Sequence, residues 1–157
     1  IITGEHSCPA VHALCHAANA ELKATGATVV YTAPVEVVTE PQTTALRALV
    51  EDMNAGRVRM LTVIGGNPAY NAPADLNFIE AMRKVPLIIR QGMYEDETSE
   101  YSQWHLPMSH PFEAWGDLRA FDGTASIVQP LIAPIYSTKS PLEFLTELNG
   151  SPRAGYE

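Results

Sequence analysis

The run Met60-Leu61-Thr62-Val63-Ile64 carries no charge and stops abruptly at Gly65-Gly66-Asn67-Pro68. A short apolar, β-branched run bounded by turn residues suits a central parallel strand covered on both faces. Parallel strands need long crossovers, usually helical, and the flanking sequence provides them. Residues 42–55 place Leu46, Leu49, Val50 and Met53 on one helical face and stop at Gly56. Residues 74–84 repeat the pattern with Leu76, Ile79, Ala81 and Met82, and Asp75 stands where it could cap that helix. Val85-Pro86-Leu87-Ile88-Ile89 reads as the next strand, with the proline near its start, where a missing N–H matters least.

The same alternation extends toward the N-terminus. Ile1–Thr3 reads as a short strand. Ser7 and Pro9 mark a helix start, with Ser7 as N-cap. Val11, Leu14, Cys15, Ala18 and Leu22 give the inner face of a helix over 10–24, Gly26 ends it, and Thr28–Thr32 reads as another strand. The βαβαβαβ order predicts an α/β, three-layer, Rossmann-like domain: a mostly parallel sheet, helices on both faces, right-handed crossovers. Beyond Gln91 the pattern loosens into an irregular C-terminal segment. Short strands are expected at Trp104–Pro107 and Ser126–Val128, and a last helix at Pro141–Leu148. Residues 1–150 are read as one domain and 151–157 as a tail. The chain opens without Met on a strand-like run and reads as a piece of a longer protein.

Charge narrows the partners. Ten Lys and Arg stand against eighteen Asp and Glu, a net charge of −8. That balance argues against nucleic acid and against anionic membrane surfaces, both of which reward positive charge. No apolar run approaches the ~18 residues of a membrane span, so direct membrane insertion is not expected. Two cysteines are too few for a disulfide scaffold.

Four groups of residues could carry chemistry. The turn Gly65, Gly66, Asn67 and Pro68 follows a buried strand, where open α/β sheets bind ligands. Its glycines permit close backbone approach, and the Asn67 amide can donate and accept. The same residues also make a plain strand-to-helix turn, and the spacing matches neither a dinucleotide fingerprint nor a P-loop. Cys8, His12, Cys15 and His16 fall on one helical face and are zinc-ligand types. One straight helix encloses a tetrahedral ion poorly, so buried Cys and partly buried His is the structural reading, and no metal site is expected. The acidic run Glu95, Asp96, Glu97, Thr98, Ser99, Glu100 could hold a cation or simply begin a helix, where acids oppose the dipole. His105, His110, Glu113, Asp117, Arg119 and Asp122 offer acid–base types without a nucleophile motif, and no catalytic residue is assigned. Trp104 and Trp115 read as packing anchors.

A buried strand ending in Gly-Gly-Asn-Pro resembles the Gly-x-Asn-Pro turn of the molybdopterin oxidoreductases, the dimethyl sulfoxide reductase family. The resemblance continues through Glu97-Thr98, Trp104-His105-Leu106-Pro107, Glu113, Phe121-Asp122-Gly123-Thr124 and Val128-Gln129-Pro130-Leu131-Ile132-Ala133-Pro134, in order from about Leu61 to Leu148. Ser102-Gln103 stands where that family has Ala-Asp. Tyr94-Glu95-Asp96-Glu97-Thr98 and the two later runs look most like the large iron–sulfur subunit of alternative complex III-type quinol:electron-acceptor oxidoreductases. The resemblance implies a Rossmann-like domain of a redox subunit, not catalytic alone. Gly65, Gly66, Asn67, Pro68, Glu97 and Thr98 would lie on the side of a molybdopterin guanine dinucleotide. No cofactor is expected in this stretch itself: the dinucleotide, kept or lost, and the iron–sulfur clusters belong to the parent chain. The implied partners are other domains of that chain and subunits of a membrane-bound respiratory complex, on the periplasmic face of the bacterial inner membrane. The alternatives are a cofactor-free docking domain of such a complex and a stand-alone hydrolase or metalloenzyme, the last without any supporting motif.

Overall fold

The structure is a computed structural model describing residues 1–4, 6–36, 38, 40–153 and 155. Of the expected tail over 151–157, residues Ala154, Tyr156 and Glu157 lie outside the described residues. The chain divides into two compact units, residues 1–37 with 119–124, and residues 38–118 with 125–157.

The second unit holds the α/β framework. Its elements are α2 (Gln42–Asn54), β1 (Met60–Ile64), α3 (Pro68–Asn71), a 3-10 turn (Ala74–Leu76), α4 (Phe78–Met82), β2 (Leu87–Gly92), α5 (Glu97–Glu100), β3 (Trp104–Pro107), a second 3-10 turn (Pro111–Glu113) and α6 (Pro141–Leu148). The three strands form one parallel sheet in the order β1-β2-β3, with Leu61 beside Ile88 and Ile89 beside Trp104. Side chains alternate across a strand, so Ile88 and Gln91 face opposite ways. Leu61 and Ile88 meet Val50 and Met53 of α2 and Phe78, Ala81 and Met82 of α4, with Leu76 and Val85 completing a buried apolar cluster. On the other face, buried Gln91 donates from Nε2 to the Lys139 carbonyl at 2.9 Å, holding the start of α6, where Phe144 is buried. Helices therefore cover both faces, and the Rossmann-like expectation holds.

Local chemistry accounts for most boundaries. Pro86 has no N–H to give the ladder, so β2 begins after it rather than at Val85, which joins the core instead. Helix α6 starts in a capping box: Glu143 N–H donates to Ser140 Oγ at 3.2 Å and Ser140 N–H to Glu143 Oε2 at 2.9 Å. The helix expected over 74–84 is broken, because Asn77 takes a left-handed φ of 48° between the 3-10 turn and α4. Asn tolerates that conformation better than most residues. Asp75 consequently caps nothing and pairs with Arg47 at 3.3 Å. The irregular segment hides one further strand, β4 (Gly116–Arg119), paired with β5 (Ala125–Val128).

The first unit departs more from expectation. Helix α1 (Pro9–Glu21) forms, but its N-cap is Cys8, and the Ser7 hydroxyl instead accepts from Thr3 Oγ1 at 2.7 Å. Ile1–Thr3 has no regular structure, and 28–32 contributes one isolated bridge, Thr25 to Val29. β-branched runs become strands only when a ladder partner is present, and neither run has one among the described residues. The face read as the inner side of α1 is open: Leu14 is 69% exposed and Leu22 66%.

Met82→Ala, at a site with no solvent access, is expected to lower stability by about 2–5 kcal/mol in urea unfolding. Leu14→Ala on the open face of α1 is expected to change it by less than about 0.5 kcal/mol.

Candidate functional site

The parallel register puts the ends of β1 and β2 side by side, and two loops meet at their carboxyl edge. Ile64 is level with Gln91, and Gly65 N–H donates to the Gln91 carbonyl at 3.0 Å. Gly65 turns the chain at a φ of +73°, a conformation that only glycine adopts cheaply. A side chain built on Gly65 or Gly66 would meet nothing within 4 Å, so the outer side of the turn is open. Pro68 occupies the first position of α3, where its fixed φ suits a helix start.

All six residues singled out in the sequence come together here. Asn67 Oδ1 accepts from Thr98 Oγ1 at 2.7 Å and from Thr98 N–H at 3.2 Å. Asn67 Nδ2 donates to Glu97 Oε2 at 2.6 Å. Thr98, fully buried, also accepts from Ala69 N–H at 3.1 Å. The Asn67 amide, which the sequence offers as a ligand contact, is thus used as a clamp between the two loops. That hydrogen bond holds the exposed Glu97 carboxyl below its ordinary range.

Behind the clamp lies an ion pair that the sequence did not reveal. Arg90, 4% exposed, donates from Nη2 to Asp96 Oδ2 at 2.7 Å and from Nη1 to the Gln91 carbonyl. Its guanidinium lies against Gly92: a Cβ there would come within 2.8 Å of Arg90 Cζ. Asp96 is also the N-cap of α5, accepting from Ser99 N–H at 3.0 Å while its own N–H donates to Ser99 Oγ at 3.1 Å. The acidic run is therefore a capped helix start, with Glu97 and Glu100 in its first turn. Burial alone would raise the Asp96 carboxyl, but hydrogen bonds from Arg90 and Ser99 and the Arg90 charge outweigh it and hold the group below its ordinary value. Ser99 Oγ is also 2.9 Å from His105 Nδ1. Glu95, Asp96, Glu97, Ser99, Glu100 and His105 line an open hollow of about 670 Å³. A glycine at the end of a strand and an arginine near it are too common to have marked Arg90 and Gly92 in advance.

The other candidates do not converge. His110 Nδ1 accepts from Phe112 N–H at 3.1 Å, and Glu113 accepts from His110 N–H at 3.2 Å and Ile135 N–H at 3.2 Å, so both brace local backbone. Asp122 accepts from Thr124 N–H in the β4–β5 turn, and Asp117 and Arg119 are exposed on β4. Cys8 is exposed and Cys15 half-buried, which corrects the expected burial of both. His16 Nδ1 bonds the Tyr31 hydroxyl at 2.8 Å. Among the described residues, no three of His, Cys, Asp or Glu are grouped to hold a metal ion. Trp115 is half-buried, but Trp104 is 63% exposed on edge strand β3 and anchors no packing. Gln103, standing where the resembled family has Asp, accepts from Ile88 N–H at 2.6 Å through Oε1 and so extends the sheet edge.

Fold and site together define a Rossmann-like α/β domain whose strand-end loops are tied to each other. No family model matches the chain. The chain is similar to the "NADPH-Fe(3+) oxidoreductase subunit alpha" of Geobacter sulfurreducens in two strains, DL-1 / KN400 and ATCC 51573 / DSM 12127 / PCA, each 25% identical over 100 residues. The match takes in 64% of this chain but spans only 12% of those curated relatives. The chain is related, at low identity, to an oxidoreductase subunit. No helix among the described residues is long and apolar enough to cross a membrane.

Asn67→Ala is expected to cost about 1–3 kcal/mol, because buried Thr98 loses its acceptor, and to speed amide exchange at Thr98 while sparing Ile88. Acid titration tests the ion pair. A carboxyl held low when folded contributes stability that is present above its unfolded value and lost as pH falls through the folded one. Unfolding followed below about pH 4 should show this loss in the native chain and a shallower one in Asp96→Asn, which is also expected to be about 3–5 kcal/mol less stable at neutral pH because Arg90 stays buried without its countercharge.

Proposed function

We propose that this chain is a non-catalytic domain of an electron-transfer oxidoreductase subunit, descended from the dinucleotide-binding region of a molybdopterin-type enzyme and serving as scaffold. The observation that carries this reading is the clamp: Asn67, Glu97 and Thr98 bind one another at the carboxyl ends of parallel strands, where this fold places ligands. The similarity to an oxidoreductase alpha subunit supports the redox context. The Gly-x-Asn-Pro turn supports the molybdopterin lineage.

The local groups do not suit the dinucleotide itself. A diphosphate wants cations or a long helix N-terminus. The turn leads into a four-residue helix, the adjoining hollow carries four carboxylates, and the buried guanidinium behind it is paired with Asp96. Open space at Gly65 and Gly66 is the one feature that favours close approach. On this reading the iron–sulfur clusters, other domains and subunit partners belong to a longer chain and a respiratory assembly. The periplasmic side of the inner membrane is the proposed location.

Two measurements test the proposal. Guanosine diphosphate at millimolar concentration is expected to leave the amide resonances of Gly65, Gly66 and Asn67 unshifted, and saturable shifts confined to those residues would show a surviving nucleotide site. Metal analysis of the longer native protein is expected to find iron without molybdenum or tungsten. Either of those two metals near one per chain would overturn the scaffold reading, and absence of iron as well would remove the redox assignment.

A further inference from the structure

Gln91, near the end of β2, is shut away from solvent, yet its side chain is only half used. Its Nε2 donates to the Lys139 carbonyl at 2.9 Å and, at 3.4 Å, to the Ser140 carbonyl. Two acceptors on that side fix which end of the amide is nitrogen, because a flipped amide would set oxygen against oxygen. Oε1 is therefore turned away from them. Among the described residues it is the one buried side-chain nitrogen or oxygen without a hydrogen-bond partner. Buried polar atoms are nearly always paired, whether to protein, water or ligand.

Gln91 also lines a cavity of about 260 Å³ beside the sheet and α6. Leu106, level with Gln91 on β3, stands on the same face of the sheet. Leu106, Pro107 and Phe144 make the walls apolar. On the exposed side Lys139 Nζ pairs with Glu147, which follows Phe144 by three residues on α6, so the two charges cancel. All of these residues belong to the unit of 38–118 and 125–157. The space is several times the ~30 Å³ that a water takes up, and apolar walls offer a water too few of the roughly two to four partners it keeps when buried. It falls just below the ~300–1,000 Å³ of pockets that hold drug-sized ligands. An apolar body with a single donor, and no net charge, is what such a space accepts.

We propose that this cavity is a binding site for a small uncharged molecule, an apolar ring bearing one N–H or O–H, which donates to Gln91 Oε1. The ring packs against Leu106, Pro107 and Phe144, and the donor completes the buried amide. The site lies apart from the Asn67–Thr98 clamp and does not depend on the function proposed above.

Resonance shifts of the 157-residue chain test this, with indole as probe and benzofuran as the isostere that lacks the N–H. Indole at up to millimolar concentration is expected to give saturable shifts at Leu106, Phe144 and the Gln91 side-chain amide, and none at Ile88 on the opposite face. The Gln91 side-chain carbonyl carbon should move with indole and not with benzofuran. Benzofuran should bind at least about fivefold more weakly, because it leaves the buried oxygen unpaired. Leu106→Trp, which fills the space and keeps Gln91, should retain the far-ultraviolet spectrum and lose the response. Gln91→Leu should bind the two probes alike; should that variant not fold, the carbonyl carbon shift of the native chain decides. The proposal is overturned if millimolar indole gives no saturable shift, or if indole and benzofuran bind the native chain equally, which would leave an apolar cavity only. A long-lived water on Gln91 that indole fails to displace, seen by cross-relaxation between water and the side-chain amide, overturns it as well.

Discussion

Arg90 is charged and shut away from water, and the loop that carries Glu97 and Thr98 is built around satisfying it. An unpaired guanidinium at that depth would be strongly destabilising. Asp96 supplies the countercharge, and the Gln91 carbonyl takes another N–H. Gly92 follows from the same requirement, since any side chain there would collide with the guanidinium. Asp96, fixed by Arg90, then caps α5, and α5 presents Thr98 to Asn67 across the strand ends. A single buried cation thus sets the position of a loop that no apolar contact would define so closely.

This arrangement bears on what the strand-end loops can do. A catalytic or ligand-binding polar group needs unused hydrogen-bonding capacity directed at the ligand. Here both lone-pair directions of the Asn67 oxygen are taken by Thr98, one amide N–H by Glu97, and the Thr98 hydroxyl is engaged as donor and acceptor. Exposed carboxylates and the outer side of two glycines are what the site offers outward. Such a surface is acidic, and its like charge would repel a polyanionic group, in keeping with the scaffold role proposed above.

How much could be read from the sequence depends on which forces shaped each element. β1, α2, β3 and α6 were legible because their residues follow the period of the element or their ends carry recognisable signals, as with Gly56 and the Gly65–Pro68 turn. The helix expected over 74–84 failed at Asn77, where one left-handed residue broke a pattern that periodicity alone would continue. Ile1–Thr3 and Thr28–Thr32 failed for a different reason: a strand is a property of a pair, and β propensity says nothing about whether a partner is present. The site was half legible. Its glycines, Asn67, Glu97 and Thr98 were marked by motif, but the Arg90–Asp96 pair that positions them joins residues whose relation appears only once the loop after β2 brings Asp96 back to Arg90.

The contrast between β1 and β3 shows that position in a sheet is not interchangeable. β3, the last strand of the sheet, carries His105, exposes Trp104, is only four residues long and ends in Pro107, whose carbonyl accepts from Lys139 N–H at 3.2 Å. β1 lies at the opposite edge with five uncharged residues and no such device. An open edge without charge or proline is an aggregation hazard if it persists in solution. The two margins therefore differ in chemistry: the β3 side carries polar and proline residues and is bonded at its end to Lys139, whereas β1 is uncharged along its length. The clamp of Asn67, Glu97 and Thr98 lies at the carboxyl ends of β1 and β2, where it holds the two loops in register.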